Sequence, residues 1–311
     1  MRATSLAVLK QRIRGDVRFA EPLAAYTTYR IGGPAAVLVQ PASVDDVVAA
    51  VSFARETETP WLALGLGSNV LVSDDGFDGI VIRVGKGMDE VTQGIGGESW
   101  VWRVGAGLPT PQLARRSAKA GLAGVHRLVG VPGSVGGGVF MNAGAHGQDF
   151  SKAVRSVDLV GGDGSARSIL GGEIPWRYRS SGLGRCVVTS ATIGLEPRDP
   201  AGLDRDIRKH LAWRKAGTPF NEPCCGSVFR NPTSLTEDQP SRTAGQLIDA
   251  LGLKGFKVGG AQVSTLHANY IVNTGNATAG NVMAVIDEVR NRVMVEYGVE
   301  LELEVQILGE T

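Results

Sequence analysis

Residues 130–145, GVPGSVGGGVFMNAGA, hold six glycines, one proline and no charged side chain. A run so poor in side-chain volume packs badly as ordinary core, because close-packed interiors need side chains to fill them. Glycine frees the backbone to take positive φ or to lie close against another group. The run therefore suits a backbone laid against an anion or a planar ring, with N–H groups as the ligands. A buried glycine-rich crossover is the plain alternative. A second run, LGLGSNVLV (64–72), joins two apolar strands. Its Gly65 and Gly67 free the chain, Ser68 and Asn69 offer donors, and successive N–H groups can form a nest for a pyrophosphate. A tight β-turn is the simpler reading. A third, TTYRIGGPA (27–35), sets Tyr29 and Arg30 before Gly32 and Gly33. Together the three loops suggest a dinucleotide lying across strand ends.

Familiar signatures fail. GLGSNV (65–70) ends on Val70 and runs into a strand, so it is not a Rossmann fingerprint. GIVIRVGKG (79–87) has a spacer one residue too long for a P-loop, and Gly87 stands where Ser or Thr is needed. Neither Ser134 nor Ser227 sits in a GxSxG elbow. His126, His146, His210 and His267 lack zincin spacing and read as structural or exposed, so no metal is expected. Cys224 and Cys225 are adjacent, a spacing that rarely forms a disulfide, and Cys186 stands alone. Reduced thiols and a cytoplasmic location follow. A net charge of +1 argues against nucleic-acid or membrane binding through bulk charge. No stretch approaches ~18 uninterrupted apolar residues, so no membrane insertion is expected. The N-terminus reads as a short amphipathic helix rather than a signal peptide, because charges interrupt it after Leu9.

At 311 residues the chain has room for two domains, or for one large domain with an appended part. Strands are expected at 35–41, 61–65, 70–73, 80–84, 99–107 and 186–197, with a hairpin over 154–169 turning at Gly161–Gly164. Helices are expected at 43–57, capped by Ser43, and at 108–124, with prolines in the first turn. The pattern predicts further helices at 199–217, at 243–253 capped by Thr243, and at 276–298 closed by Gly298. Residues 299–308 alternate Val, Leu and Ile with Glu and Gln, as a strand would.

Seven segments in order carry a resemblance: TTYRIGGPA, LGLGSNVLVSDDGFDGIVIRV, GVPGSVGGGVFMNAGA, WRYRSS, CGSVFRNP, AGQLIDALGLKGFKVGGAQVSTLHANYIVNTGNATA and GVELELEVQILG. The chain resembles the UDP-N-acetylenolpyruvoylglucosamine reductases, the flavoenzymes that complete UDP-N-acetylmuramate for peptidoglycan. WRYRSSGLG without an inserted Tyr loop, and HANYIVN, are similar to the shorter type II branch. The resemblance implies an α+β fold of the PCMH or vanillyl-alcohol-oxidase type. Its FAD-binding part would span 1–197, in subdomains of about 1–84 and 85–197. A substrate-binding domain at 198–298 and a strand at 299–311 returning to the active site would follow. It also implies a monomer, NADPH as co-substrate, and UDP-N-acetylglucosamine enolpyruvate as the molecule reduced. FAD should be non-covalent, since no histidine lies between residues 60 and 80 to tether it.

Residue by residue, the resemblance implies a catalytic trio. Arg179 would hold the carboxylate of the enolate-like intermediate by a two-pronged contact. Ser227 would give the proton, as a donor rather than a nucleophile, so it needs no histidine base. Glu304 would assist near the enolate if protonated or hydrogen-bonded; pattern alone does not separate it from Glu300 and Glu302. Cofactor contacts would come from Tyr29, Arg30 and Gly32, and from Gly65, Gly67, Ser68 and Asn69. The long loop would add Gly130, Pro132, Gly133, Ser134, Gly136, Gly137, Asn142, Gly144 and Ala145. Substrate contacts would come from Tyr178, Arg230 and Asn231, and from Lys254, Gln262, His267 and Asn269. Gln306 and His146 depart from the usual Arg and Tyr. Cys224 and Cys225 read as small, semi-buried residues, although Cys225 would share a face with Ser227 if the segment were a strand. A flavin oxidase, or a flavin- or UDP-sugar-binding protein without turnover, are the competing readings.

Overall fold

The computed structural model describes residues 3–232 and 242–309. By compactness the chain forms two units that do not follow sequence order. The first comprises the chain up to Glu21, Ala35–Leu66 and Asp78–Arg214; the second comprises Pro22–Pro34, Gly67–Phe77 and the chain from Lys215 onward. Seven helices are described: α1 (Ala3–Arg12), α2 (Val44–Glu56), α3 (Thr110–Lys119), α4 (Val135–Phe140), α5 (Pro200–Gly217), α6 (Ala244–Ala250) and α7 (Ala279–Tyr297). None is long and apolar enough to cross a membrane, among the described residues.

The first unit holds two larger sheets. One runs in the order Asp16–Pro22, Pro34–Gln40, Phe77–Arg83, Trp61–Leu64, and its last pair is parallel with Trp61 opposite Ile80. The other is antiparallel: Ala166–Leu170, Val154–Gly161, Cys186–Gly194, Val101–Gly105, Val91–Gln93. Their inward residues, among them Val37, Ile80, Trp102, Val157 and Ile193, share one core with Val47 and Val51 of α2 and Leu113 of α3. Ser43 caps α2 by accepting the Asp46 N–H at 3.4 Å. Asp46 itself is buried and accepts the N–H groups of Arg14, Gly15 and Ala42 at 2.8–3.0 Å. The expected hairpin turns at Gly161–Gly164, where Gly164 takes φ 82°.

The second unit packs α6 and α7 with a three-stranded antiparallel sheet, Lys257–Val258, Ala261–Val263 and Ile271–Asn273. Val282, Val285, Ile286, Val289 and Val293 put the buried stripe of α7 at helical spacing. Thr278 caps its start and Gly298, at φ 66°, ends it. Asp74 adds a second cap, accepting the N–H groups of Ala279 at 2.7 Å and Gly280 at 3.1 Å.

Two elements differ from the sequence pattern. Only Gln306–Leu308 of the expected strand joins a ladder, in parallel with Val70–Val72. Upstream, the N–H groups of Glu304 and Val305 both turn to the Val228 carbonyl, at 2.8 and 3.3 Å, which breaks strand alternation. In the long glycine run, Ser134 caps a short helix, α4, rather than opening an extended loop.

Candidate functional site

In the second unit, Ser227 and Glu304 lie on two segments that pair through their backbones. Phe229 faces Leu303 in an antiparallel bridge. The Glu304 N–H donates to the Val228 carbonyl at 2.8 Å, and the Arg230 N–H donates to the Glu302 carbonyl at 2.9 Å. Both side chains are half-buried, whereas Glu300 and Glu302 are exposed. Burial thus distinguishes Glu304 where the alternating sequence could not. Asn69 Nδ2 donates to the Glu304 carbonyl at 3.0 Å, and the Gln306 N–H donates back to the Asn69 carbonyl at 3.0 Å. The Gln306 amide nitrogen, in place of the usual Arg, reaches only the Glu304 carbonyl at 3.4 Å. On the other side Thr28 Oγ1 donates to the Cys224 carbonyl at 2.6 Å, while its N–H donates to the Gly67 carbonyl at 3.0 Å. Residues 67–69 are therefore clamped to both the Ser227 and the Glu304 segments.

Glycine is required at this clamp. Gly67 takes φ 64°, and a Cβ there would collide with the Tyr26 carbonyl. Gly32 takes φ 139° with Val72 against it. Ser68 is half-buried and Arg30 is exposed at φ 57°. The Tyr29 side chain is fully buried in the core with Ile31, Leu71 and Cys225, so its ring is not presented to a cofactor and only its backbone can serve one. Its hydroxyl lies beside the Cys225 thiol without a hydrogen bond of good geometry. Burial pushes both groups well up, so each stays protonated at neutral pH.

The proposed substrate residues of this unit sort by what already holds them. Arg230 pairs with Glu302 at 3.3 Å and Lys254 with Asp249 at 2.8 Å, both partly in solvent. Asn231 Oδ1 accepts the Ala244 N–H at the start of α6, at 3.1 Å. Gln262 Nε2 donates to the Gly255 carbonyl at 3.1 Å. His267 Nδ1 accepts the Asn269 N–H at 3.2 Å, and its ring meets Tyr270 edge-on. Asn269 is buried, and its amide bridges both backbone groups of Phe229, at 2.8 and 2.9 Å. Its side chain holds the Ser227 segment in place instead of facing a ligand.

In the first unit, the long loop is built for close approach. A Cβ at Gly65 would collide with Ser134 Oγ, one at Gly136 would lie 2.8 Å from the Ala106 Cβ, and one at Gly138 would enter the Phe150 ring. The N–H groups of Val135, Gly136 and Gly138 donate to the carbonyls of Leu108, Ala106 and Ser134 at 2.8 Å, and that of Gly137 reaches Ser134 Oγ at 3.4 Å. Those groups are already engaged within the protein, so they are not the free N–H ligands for an anion or ring that the sequence suggested. Gly136 and Gly138 serve packing, and Gly137 presents an exposed backbone with no side chain. Gly130 lies against the Arg214 side chain, Pro132 is exposed, and the Gly133 carbonyl accepts the Thr110 N–H at 2.9 Å. Gly144 and Ala145 pair with Asp149 and Gln148, turning through His146 and Gly147 at positive φ. Arg179 sits at φ 57° in a tight turn, half-buried, its guanidinium carbon 4.8 Å from the ring of exposed Tyr178. Among the described residues no His, Cys, Asp and Glu group could hold a metal.

A model of the UDP-N-acetylenolpyruvoylglucosamine reductase C-terminal domain matches residues 218–308, and one of an FAD binding domain matches residues 35–169. The chain is 43% identical over 300 residues to the UDP-N-acetylenolpyruvoylglucosamine reductase of Halalkalibacterium halodurans, covering 95% of each. It is 39% identical over 304 residues to that of Bacillus subtilis, covering 97% of each. The chain belongs to the UDP-N-acetylenolpyruvoylglucosamine reductase family. The crystal structure of the family's Thermus caldophilus member is 34% identical and superposes with a TM-score of 0.78, over 96% of this chain and all of that one. The α+β fold with an FAD-binding domain stands as expected.

Against that reductase frame, several holding residues escaped the sequence reading. Thr28, Asp74 and Asn273 touch backbone 196, 205 and 244 residues away, respectively. Asn273 Nδ2 donates to the Tyr29 carbonyl at 3.0 Å, and its Oδ1 accepts the N–H groups of Gly275 and Ala277. The only local signal was their type, since Thr, Asp and Asn are the residues that cap and bridge backbone. Cys186, Cys224 and Cys225 form no disulfide among the described residues, and Cys225 is buried. Gly226, at φ 85°, breaks the strand-like path, so Cys225 does not share a face with Ser227.

Proposed function

We propose that this chain reduces the enolpyruvyl group of UDP-N-acetylglucosamine enolpyruvate to the lactyl ether of UDP-N-acetylmuramate, with NADPH as the electron donor, in the cytoplasm and as a monomer. The observation that carries the reading is family membership over 95% of the chain, together with the half-buried Ser227 and Glu304 on paired segments. The residues fit FAD: Gly65 and Gly67 lie where any side chain would collide, and Gly137 keeps a bare, exposed backbone. When bound, FAD supplies the hydride relay from NADPH to the enolpyruvyl methylene. Candidates to hold it are, in the first unit, the backbone at Gly65, Gly133, Gly137, Gly144 and Ala145, and, in the second unit, the backbone at Gly32 and Gly67–Asn69 together with Arg30.

The chain's own side chains then handle charge and proton. Hydride arriving at the methylene leaves an electron pair on the neighbouring carbon, delocalised into its carboxylate. The Arg179 guanidinium binds that carboxylate through two parallel N–H donors and stabilises the charge as it grows. Ser227 gives its hydroxyl proton to the carbon, which completes the saturated ether and leaves the serine to be reprotonated. Glu304, drawn partly out of water, lies on the segment paired with that of Ser227 and assists the developing enolate. Tyr178, Arg230, Asn231, Lys254, Gln262 and His267 are the candidate contacts to the sugar nucleotide.

NADPH consumption by the FAD-loaded protein, with and without the enolpyruvyl sugar nucleotide, tests this. Consumption should depend on the sugar nucleotide and fall in Ser227→Ala by on the order of 10²- to 10⁴-fold. Flavin reduced by NADPH but not reoxidised by the sugar nucleotide would overturn the reading and make oxygen the next acceptor to examine.

A further inference from the structure

We infer that Asn142 is a positioning residue for Arg179, acting through the turn that carries it; this rests on the proposed role of Arg179. The turn is short and unusual. The Arg177 N–H donates to the Ser180 carbonyl at 2.8 Å, and the Ser180 N–H donates back to the Arg177 carbonyl at 3.1 Å. Tyr178 and Arg179 form its tip, and Arg179 takes φ 57°. A side chain as large as arginine enters the left-handed region at a conformational cost, so the surrounding structure must hold it there.

Asn142 does the holding. It is buried, and it stands at φ 42°, a region asparagine tolerates better than other residues with a side chain. Its Nδ2 donates to the Arg177 carbonyl at 3.0 Å, and its Oδ1 accepts the Ser151 N–H at 3.0 Å. One amide thus spans 35 residues in one direction and 9 in the other. The next residue along from the turn is fixed as well. Ser181 sends both its N–H, at 3.1 Å, and its Oγ, at 2.7 Å, to the carbonyl of Phe140 at the end of α4. The Arg179 turn is therefore carried by the same short segment, 140–142, that closes the glycine-rich helix. The amide of Asn142 is engaged on both sides by backbone, which assigns it to the turn and not to direct contact with a cofactor.

The test uses the FAD-loaded protein and four variants. Asn142→Gly removes both bonds while suiting the positive φ. Asn142→Asp keeps the acceptor for Ser151 but sets a carboxylate oxygen against the Arg177 carbonyl. Ser181→Ala removes one hydroxyl donor and is the mildest, should the others fold poorly. Arg179→Ala is the reference. FAD retention and flavin reduction by NADPH should change by less than about twofold in the Asn142 variants, while flavin reoxidation by the sugar nucleotide slows on the order of 10- to 100-fold. Calorimetric affinity for UDP-N-acetylmuramate, whose carboxylate Arg179 would hold, should fall in parallel without any turnover. In the Arg179→Ala background, Asn142→Gly should add nothing further to either loss. Full additivity, or loss of FAD with reoxidation otherwise intact, would overturn the inference. If Arg179→Ala alone reoxidises at the native rate, the role of Arg179 fails and the inference falls with it. The Ser227→Ala result would still judge the reaction itself.

Discussion

Gly226 separates two side chains with different environments. Before it, Cys225 is sealed in the core; after it, Ser227 is half-exposed. The reversal depends on φ 85° at Gly226, where, among the described residues, the only neighbour a Cβ would meet within 4 Å is the Ser68 carbonyl, at 3.8 Å. Space is therefore open, and a substitution is penalised by conformation alone. Gly226→Ala should destabilise by about 1 kcal/mol, and should lower turnover more than that figure suggests, because Ser227 turns with it. Gly138→Ala tests the opposite case: φ is ordinary there, but the new methyl would enter the Phe150 ring, and overpacking costs about 1–3 kcal/mol. Denaturant midpoints of the two variants, set beside their kcat, decide it. A Gly138→Ala protein that loses turnover at native stability would contradict this division of roles.

At the scale of elements, α5 meets the 143–147 loop through stacked imidazoles. The rings of His146 and His210 lie 3.9 Å apart, and Trp213 closes on His146 edge-on at 5.0 Å. Nearby, His126 Nε2 lies 3.6 Å from an Asp206 oxygen. Burial is the first cause that pushes all three histidines below the usual value. Arg214 and Arg127 push His146 down further, Arg127 does the same at His126, and His146, Arg127 and Lys209 do so at His210; Asp206 opposes the shift at His126 and His210. A histidine held neutral in the fold takes up fewer protons than the unfolded chain just below pH ~6.5. Stability is then complete above that pH and declines as pH falls toward the lowered folded values. Melting temperature should drop between about pH 7 and pH 5, and His210→Gln should flatten that slope. An unchanged slope in His210→Gln would remove the stack as its source. None of this was legible in the sequence, since His146 and His210 stand 64 positions apart with no shared pattern. Local signals fared better: Ser43, Thr243 and Gly298 mark helix ends because a cap is satisfied within three or four residues. The 299–308 pattern misled because its alternation reports which residues face inward, not which carbonyl accepts each N–H.

On the whole-molecule scale, family membership and the three glycine loops were readable because each is a contiguous run. The division into compact units was not, because the chain changes unit five times, at residues 21/22, 34/35, 66/67, 77/78 and 214/215. One change falls inside the LGLGSNVLV loop, between Leu66 and Gly67. The second unit draws Tyr29, Ile31 and Leu71 into its core from two early excursions of the chain. The same excursions supply Asp74 to cap α7 and Val70–Val72 to pair with Gln306–Leu308. Residues 218–308, matched as one contiguous domain, contain none of these parts. Losing three buried side chains forfeits roughly 1.5–3 kcal/mol each, which is comparable to the roughly 5–15 kcal/mol that holds a whole domain folded. A fragment of residues 215–311 should therefore fail to fold, with helical circular dichroism below that expected of α6 and α7 and poorly dispersed amide resonances. Cooperative melting of that fragment would show that the late segment is self-sufficient. The excursions would then serve only to deliver Gly67–Asn69 to the Ser227 and Glu304 segments.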